Sequence, residues 1–221
     1  MRTQMTAISL VCALVLAVGG AASASPSFRG YTGLVVIPTA DTLDKGEYNL
    51  GAMVEDLGDV DFNDLFANYG PIDNMEVGIN SVQAIGGGDR ETLINAKYRL
   101  MRETEEHAAV AFGIADLADE IESTAYVVVS KSLARGINMF DKEVTNLRGH
   151  LGFGGGWLDG LFLGASAFLG NRAMVSVEWD SRDTNIGLRL TPMPGFRLHA
   201  GLLDVGGASN LGVGVSFQKS Y

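Results

Sequence analysis

The chain has 221 residues with 26 acidic and 16 basic side chains, a formal net charge of −10 that leaves no basic stripe able to displace counterions from nucleic acid. Hydrophobic residues make up 47% and glycine contributes 29 residues without a collagen-like period, which excludes both a disordered chain and a triple helix. A single cysteine, Cys12, excludes a disulfide framework and a zinc–cysteine site.

Met1 to Ala24 has the layout of a secretory signal peptide. Arg2 is the basic end, Ile8 to Val18 the apolar core, and Ala22-Ser23-Ala24 the small-residue cleavage site. The apolar run is shorter than the roughly 20 residues a helix needs to cross hydrocarbon, and it ends in small residues rather than a basic flank. Cleavage after Ala24 is therefore expected over a retained anchor. Cys12 lies inside this segment, too far from its end for lipid attachment. The mature chain is then expected to lack a thiol. Three parts follow: a signal peptide over residues 1–24, a segment over 25–45 that precedes the first strand, and one domain over 46–221.

Beyond the signal, no apolar stretch is long enough for a membrane helix and no 3.6-residue period stands out. Strands of about ten residues separated by turns recur instead. The pattern predicts strands over Gly46–Val54, Asp61–Tyr69, Asn74–Gln83, Glu91–Met101, His107–Ala115 and Ser123–Leu133. Six more are predicted over Asn146–Gly155, Asp159–Leu169, Ala173–Asp180, Asp183–Thr191, Phe196–Asp204 and Ser209–Tyr221. Gly70-Pro71-Ile72-Asp73-Asn74, Ser181-Arg182 and Pro192-Met193-Pro194-Gly195 break the pattern with turn chemistry. Acidic connections that are longer alternate roughly with tight ones, as expected if one rim has short turns and the other longer loops.

Successive strand side chains point to opposite faces. In the last strand Leu211, Val213, Val215, Phe217 and Tyr221 share one face, and Gly212, Gly214, Ser216, Gln218 and Ser220 the other. Ile186, Leu188 and Leu190 oppose Asn185, Gly187 and Arg189; Val175, Val177 and Trp179 oppose Ser176 and Glu178. A Lys or Arg on the lipid side would cost about 2–4 kcal/mol near the midplane, so energy fixes this register. Val127, Val128 and Val129 run together and leave Ser123–Leu133 ambiguous. The fold expected is all-β: an antiparallel up-and-down transmembrane β-barrel of about 12 strands. A soluble β-sandwich also alternates, but small, glycine-rich inner positions and a closing aromatic residue favour the barrel.

That register lines the lumen with Glu76, Lys97, Arg99, Arg148, His150, Glu178, Arg189, Arg197 and His199. Basic side chains predominate there, which fits either an anion pathway or a closed interior in which Arg and Glu pair across strands. The histidines are expected to bond to neighbours such as Glu178 or Glu76. No phosphate loop, metal-binding histidine pair, nucleophile elbow or cysteine cluster occurs, so no catalytic residue, metal or cofactor is assigned. Outer-membrane lipid hydrolases place a serine and a histidine together with an orienting partner. No local signature of that kind accompanies His150 or His199. The acidic groups Glu55–Asp64, Glu103–Glu106 and Asp116–Glu122 read as solvated loops; the alternative is a divalent cation bridging them to lipopolysaccharide.

The most specific stretch is Ser27-Phe28-Arg29-Gly30-Tyr31-Thr32-Gly33-Leu34-Val35-Val36-Ile37-Pro38-Thr39-Ala40-Asp41, followed by Lys45-Gly46-Glu47. It resembles the opening of the YjbH-like outer-membrane proteins, in which a G-x-T-G-L…P-T-A segment precedes the first strand. Tyr69-Gly70-Pro71-Ile72-Asp73-Asn74-Met75-Glu76-Val77-Gly78 is similar to that family's YG-x-x-D-x-x-E-V-G hairpin, and Trp179 to Arg189 and Gly201-Leu202-Leu203-Asp204 are similar to its later hairpins. The resemblance implies a non-enzymatic outer-membrane barrel, in some members linked to exopolysaccharide production or export. Gly30, Gly33, Pro38, Thr39 and Asp41 would shape a segment that caps the periplasmic mouth or enters the lumen as a plug.

The function expected is that of an accessory or structural envelope component in the outer membrane of a diderm bacterium. Expected partners are outer-membrane lipid and lipopolysaccharide, the barrel-assembly machinery, and exopolysaccharide or its export proteins, with no nucleic acid. A small anion-preferring porin is the second reading and a lipid-modifying barrel enzyme the third.

Overall fold

Twelve stretches of alternating side chains form twelve strands: β1 (Tyr48–Asp56), β2 (Asp61–Tyr69), β3 (Met75–Ile85), β4 (Glu91–Met101), β5 (Ala109–Ala115) and β6 (Thr124–Met139). They continue as β7 (Lys142–Gly154), β8 (Gly160–Leu169), β9 (Ala173–Trp179), β10 (Thr184–Met193), β11 (Phe196–Leu203) and β12 (Asn210–Lys219). The computed structural model describes residues 24–56, 61–85, 88–139, 142–170 and 172–219. The signal-peptide reading over residues 1–23, and the C-terminal Ser220 and Tyr221, lie outside the described residues.

Each strand pairs antiparallel with its sequence neighbours, and β12 closes on β1 from Tyr48↔Lys219 to Glu55↔Gly212. The result is a closed barrel, which removes both sheet edges and rules out the sandwich. The register follows the side-chain pattern. Leu211, Val213, Val215 and Phe217 face outward with 38–52% of their surface exposed, while Gly212, Ser216 and Gln218 are buried. Ile186, Leu188 and Leu190 likewise face out, and Asn185 and Arg189 face in. An apolar exterior of this extent is stable in lipid and costly in water. The valine run also resolves: Val127 and Val129 are exposed, whereas Val128 is buried beside Tyr126 and Ser130.

Local chemistry sets the turns. Asn74, Asp159, Ser181 and Asp204 adopt positive φ, a region open to short polar residues whose side chains can bond the neighbouring backbone. Asp116 accepts the amides of Glu120, Ile121 and Glu122, and Asp180 those of Arg182 and Asp183. One rim carries the chain on either side of the β1–β12 seam together with connections 70–74, 102–108 and 194–195. The far rim carries connections such as 116–123, 155–159, 180–183 and 204–209. Acidic loops are not confined to one side: Glu103, Glu105 and Glu106 lie on the terminal rim, Asp116 to Glu122 on the far one.

Two strands run past their expected bounds by more than a pair of residues, β6 at its end and β7 at its start. β6 and β7 extend to the pair Met139↔Lys142, beyond the last β5 pairing at Ala109↔Ser130. A register shift between Ser132 and Ala134 and a positive φ at Gly136 break the alternation there, so the sequence reads as a loop. Past Ser130 β6 has no β5 partner and rests on β7 alone, while β7 stays paired with β8 as far as Val144↔Leu169.

The core lies inside the barrel, where residues ahead of β1 meet inward side chains of the wall. Of residues 24–43, all are buried except Arg29 and Asp41, which are partly exposed. Phe28, Leu34, Val35, Val36 and Ile37 pack with Met53, Phe66, Val128, Phe162 and Met174 from the wall.

Candidate functional site: the filled lumen

The chain from Ser25 to Pro38 folds back on itself through the bridges Pro26↔Thr32 and Gly33↔Pro38. Gly30 has φ +83°, as such a turn requires. At Gly33 a Cβ would run into the Ile37 carbonyl, so the second bend also demands glycine. The coil closes some backbone bonds on itself, such as the Phe28 amide to the Val35 carbonyl, but it is neither helix nor ladder and its other amides and carbonyls need partners from elsewhere.

The wall supplies them. The Glu178 carboxylate accepts the amides of Val35, Val36 and Ile37 at 2.9, 2.7 and 3.3 Å. Glu76 accepts the Thr32 amide at 2.9 Å, the Thr32 hydroxyl at 2.5 Å and the Leu43 amide at 3.1 Å. The Lys97 ammonium donates to the carbonyls of Thr32 and Asp41, and Arg189 Nη2 to those of Pro26, Gly33 and Leu34. Asn68 and Asn80 donate to the carbonyls of Gly30 and Arg29. Ser130 Oγ accepts the Ala40 amide at 2.9 Å.

Apolar complementarity completes the fit. Added Cβ atoms at Gly187 and Gly201 would meet Val35, at Gly212 Phe28, and at Gly164 Leu34 and Ile37. Wall glycines thus form the hollows that seat the large side chains of the coil. Alternation shows that these glycines face inward, but it carries no sign of what fills the space above them.

Near the terminal rim an ionic network joins the coil to the loops. Arg148 donates to both Asp41 oxygens at 2.6 and 3.1 Å and to Glu103 at 3.2 Å, while Glu103 accepts the Ser132 amide at 2.9 Å. Burial alone would raise the Asp41 carboxyl, but the Arg148 guanidinium, with Lys97 and His150 nearby, holds it below the usual aspartate value. Glu103 is lowered as well: its partial burial is outweighed by the Ser132 hydrogen bonds and by Arg148 and Arg135. Toward the far rim Arg29 bonds Glu55 at 2.7 Å and lies 5.8 Å from the Trp157 ring centre.

All nine wall positions expected to line the lumen face inward, with Arg99 and Arg197 the more exposed. They meet the coil, the terminal rim or each other. Thr39 contributes its amide to the Thr32 carbonyl and its hydroxyl to Asp41. The histidines depart from expectation. His150 lies between Ser130 at 2.8 Å and Ser166 at 3.2 Å, and His199 between Ser216 at 2.8 Å and Arg189 at 3.3 Å. Their hydrogen-bond partners are serine and arginine rather than Glu178 or Glu76, whose oxygens accept from coil amides and from the Asn185 side-chain amide and the Thr32 hydroxyl respectively. Among the described residues no group of three His, Cys, Asp or Glu side chains is placed to hold a metal. Asp116 and Asp180 instead cap their own loops.

No family model and no curated protein matches the chain. Among solved structures it is similar to KdgM porin, at 11% identity and a TM-score of 0.51, over 79% of this chain and 99% of that one. It is also similar to a triple mutant of the Rhodopseudomonas blastica porin, at 16% identity and a TM-score of 0.36, over 72% of this chain and 55% of that one. The first likeness shows the fold, a porin-like antiparallel barrel.

Proposed function

We propose that this porin-like barrel resides in the outer membrane with its lumen closed by residues 25–43, and serves as a non-enzymatic accessory or structural component of the envelope. The observation that carries the reading is the capture of three consecutive coil amides by Glu178. Three successive main-chain N–H groups form an anion site, and the buried Glu178 carboxylate is the anion held there, which only this chain conformation allows. The apolar belt supports residence in a membrane, and the signal-peptide pattern supports export with the terminal rim on the periplasmic side. Membership of the YjbH-like proteins, and with it a link to exopolysaccharide production or export, rests on the motif from Ser27 to Asp41. Two tests apply. The protein should fractionate with outer membranes and migrate faster before boiling than after. Loss of the gene should lower surface polysaccharide; wild-type levels would remove the polysaccharide link while leaving the barrel reading intact.

A small anion-preferring channel is the second reading. It is favoured by the inward set Lys97, Arg99, Arg148, Arg189 and Arg197, which outnumbers Glu76 in the terminal half of the wall. On that reading the coil leaves the lumen and exposes the cations. Reversal potentials of a barrel lacking Ser27–Asp41 decide it: anion preference supports a pathway, and cation preference rejects it.

A further inference from the structure

We propose that the inner wall is a peptide-binding site that reads main chain, and that it takes the Ser25–Asp41 sequence as a non-covalent ligand even when that peptide is not joined to β1. The inference rests on the reading that this segment closes the lumen, and goes beyond it by making closure a binding equilibrium.

The wall's polar groups are aimed at the peptide backbone. Glu178 and Glu76 take amide N–H groups, Lys97 and Arg189 take carbonyls, and Asn68 and Asn80 take two carbonyls more. Both signs of wall charge are therefore matched to main-chain dipoles, which any sequence able to adopt this double turn presents. Selectivity then comes from shape. The hollows over Gly164, Gly187, Gly201 and Gly212 require bulky apolar groups at the positions of Phe28, Leu34, Val35 and Ile37, and the two bends require glycine. The ligand class is a peptide of about this length with that spacing, of which this chain's own segment is the resident example.

The link between the coil and β1 runs along the barrel mouth. Asp44 and Lys45 are exposed, and a Cβ added at Gly46 would meet nothing within 4 Å. Arg99 and Arg102 lie 3.8 and 3.6 Å from the Asp44 carboxylate at the barrel mouth. The contacts from Glu178, Lys97 and Arg189 all lie on the lumen side of this point, so a cut at Lys45 leaves them in place.

The experiment uses the full chain, refolded in detergent, with a protease site inserted after Lys45. The folded protein is cut, checked for its heat-shifted gel band and passed through gel filtration. The inference expects the N-terminal fragment to co-elute with the barrel and to be replaced by a fluorescent synthetic Ser25–Asp41 peptide. The same peptide with serine at the positions of Phe28, Leu34, Val35 and Ile37 should not enter. Gly212→Val, which intrudes on Phe28, should weaken retention about tenfold or more, as overpacking a buried site does. Loss of the fragment from a barrel that keeps its heat shift overturns the inference. So does equal uptake of the serine peptide, or unchanged retention in the Gly212→Val protein. Conductance of the uncut chain is measured in parallel. An uncut barrel that conducts rejects closure itself, whereas an uncut barrel that is closed but loses its fragment after cutting rejects only non-covalent binding.

Discussion

Glu178 and Asp41 show how single carboxylates hold a coil that has no regular structure of its own. Replacing Glu178 with leucine leaves three buried amides without acceptors, at roughly 1–3 kcal/mol each and not strictly additive. Glu178→Leu is expected to expose residues 25–43 to protease and to produce channel openings, with Glu178→Gln intermediate because one acceptor oxygen remains. Limited proteolysis followed by mass spectrometry checks this. Asp41 adds a pH dependence. Its folded pKa lies below its unfolded value of about 3.9, so its contribution is full above that value and is lost as pH falls through the folded one. The stability difference between wild type and Asp41→Asn should be flat from pH 7 to 5 and shrink below about pH 4, read by thermal unfolding at each pH. A difference already lost at pH 6 would assign the hold to another group. The inward placement of Glu178, Glu76 and Arg189 was legible in the alternation. Their partners were not, because Val36 and Glu178 are 142 residues apart in sequence and backbone amides leave no mark in the side-chain pattern.

At the scale of the strand, period-two patterning carried most of the information. Asp61–Tyr69 and Glu91–Met101 fall where alternation places them; in the second, a slip of one residue would turn Lys97 and Arg99 to the apolar outer face. The same reasoning predicts an asymmetry within β10. Leu188→Arg, on the outer face, should lower stability by about 2–4 kcal/mol, read as a reduced urea midpoint in lipid vesicles. Leu188→Ile should be close to neutral. A neutral Leu188→Arg would mean that this face does not contact hydrocarbon. The β6–β7 ribbon marks the limit of the signal. β6 past Ser130 has no β5 partner, yet its bonds to β7 sustain it without apolar alternation, and a bulge with a left-handed Gly136 conceals it.

For the molecule as a whole, the barrel and its N-terminal segment form one unit. Inward Met53, Phe66, Phe162 and Met174 would face water in an empty lumen; they are buried because the coil brings apolar side chains to meet them. Gly33 and Pro38 suggested a bend that caps the mouth or enters the lumen, and the hollows and charges of the wall match the segment inside it. The account's central claim is that a porin-like barrel is closed from within by these residues. Planar-bilayer conductance of the intact chain, beside a chain lacking Ser27–Asp41 and shown by its heat shift to be folded, tests that claim most directly. The account predicts no steady current for the first and open channels for the second. Steady conductance of the intact protein, or a folded deletion that stays closed, would contradict it.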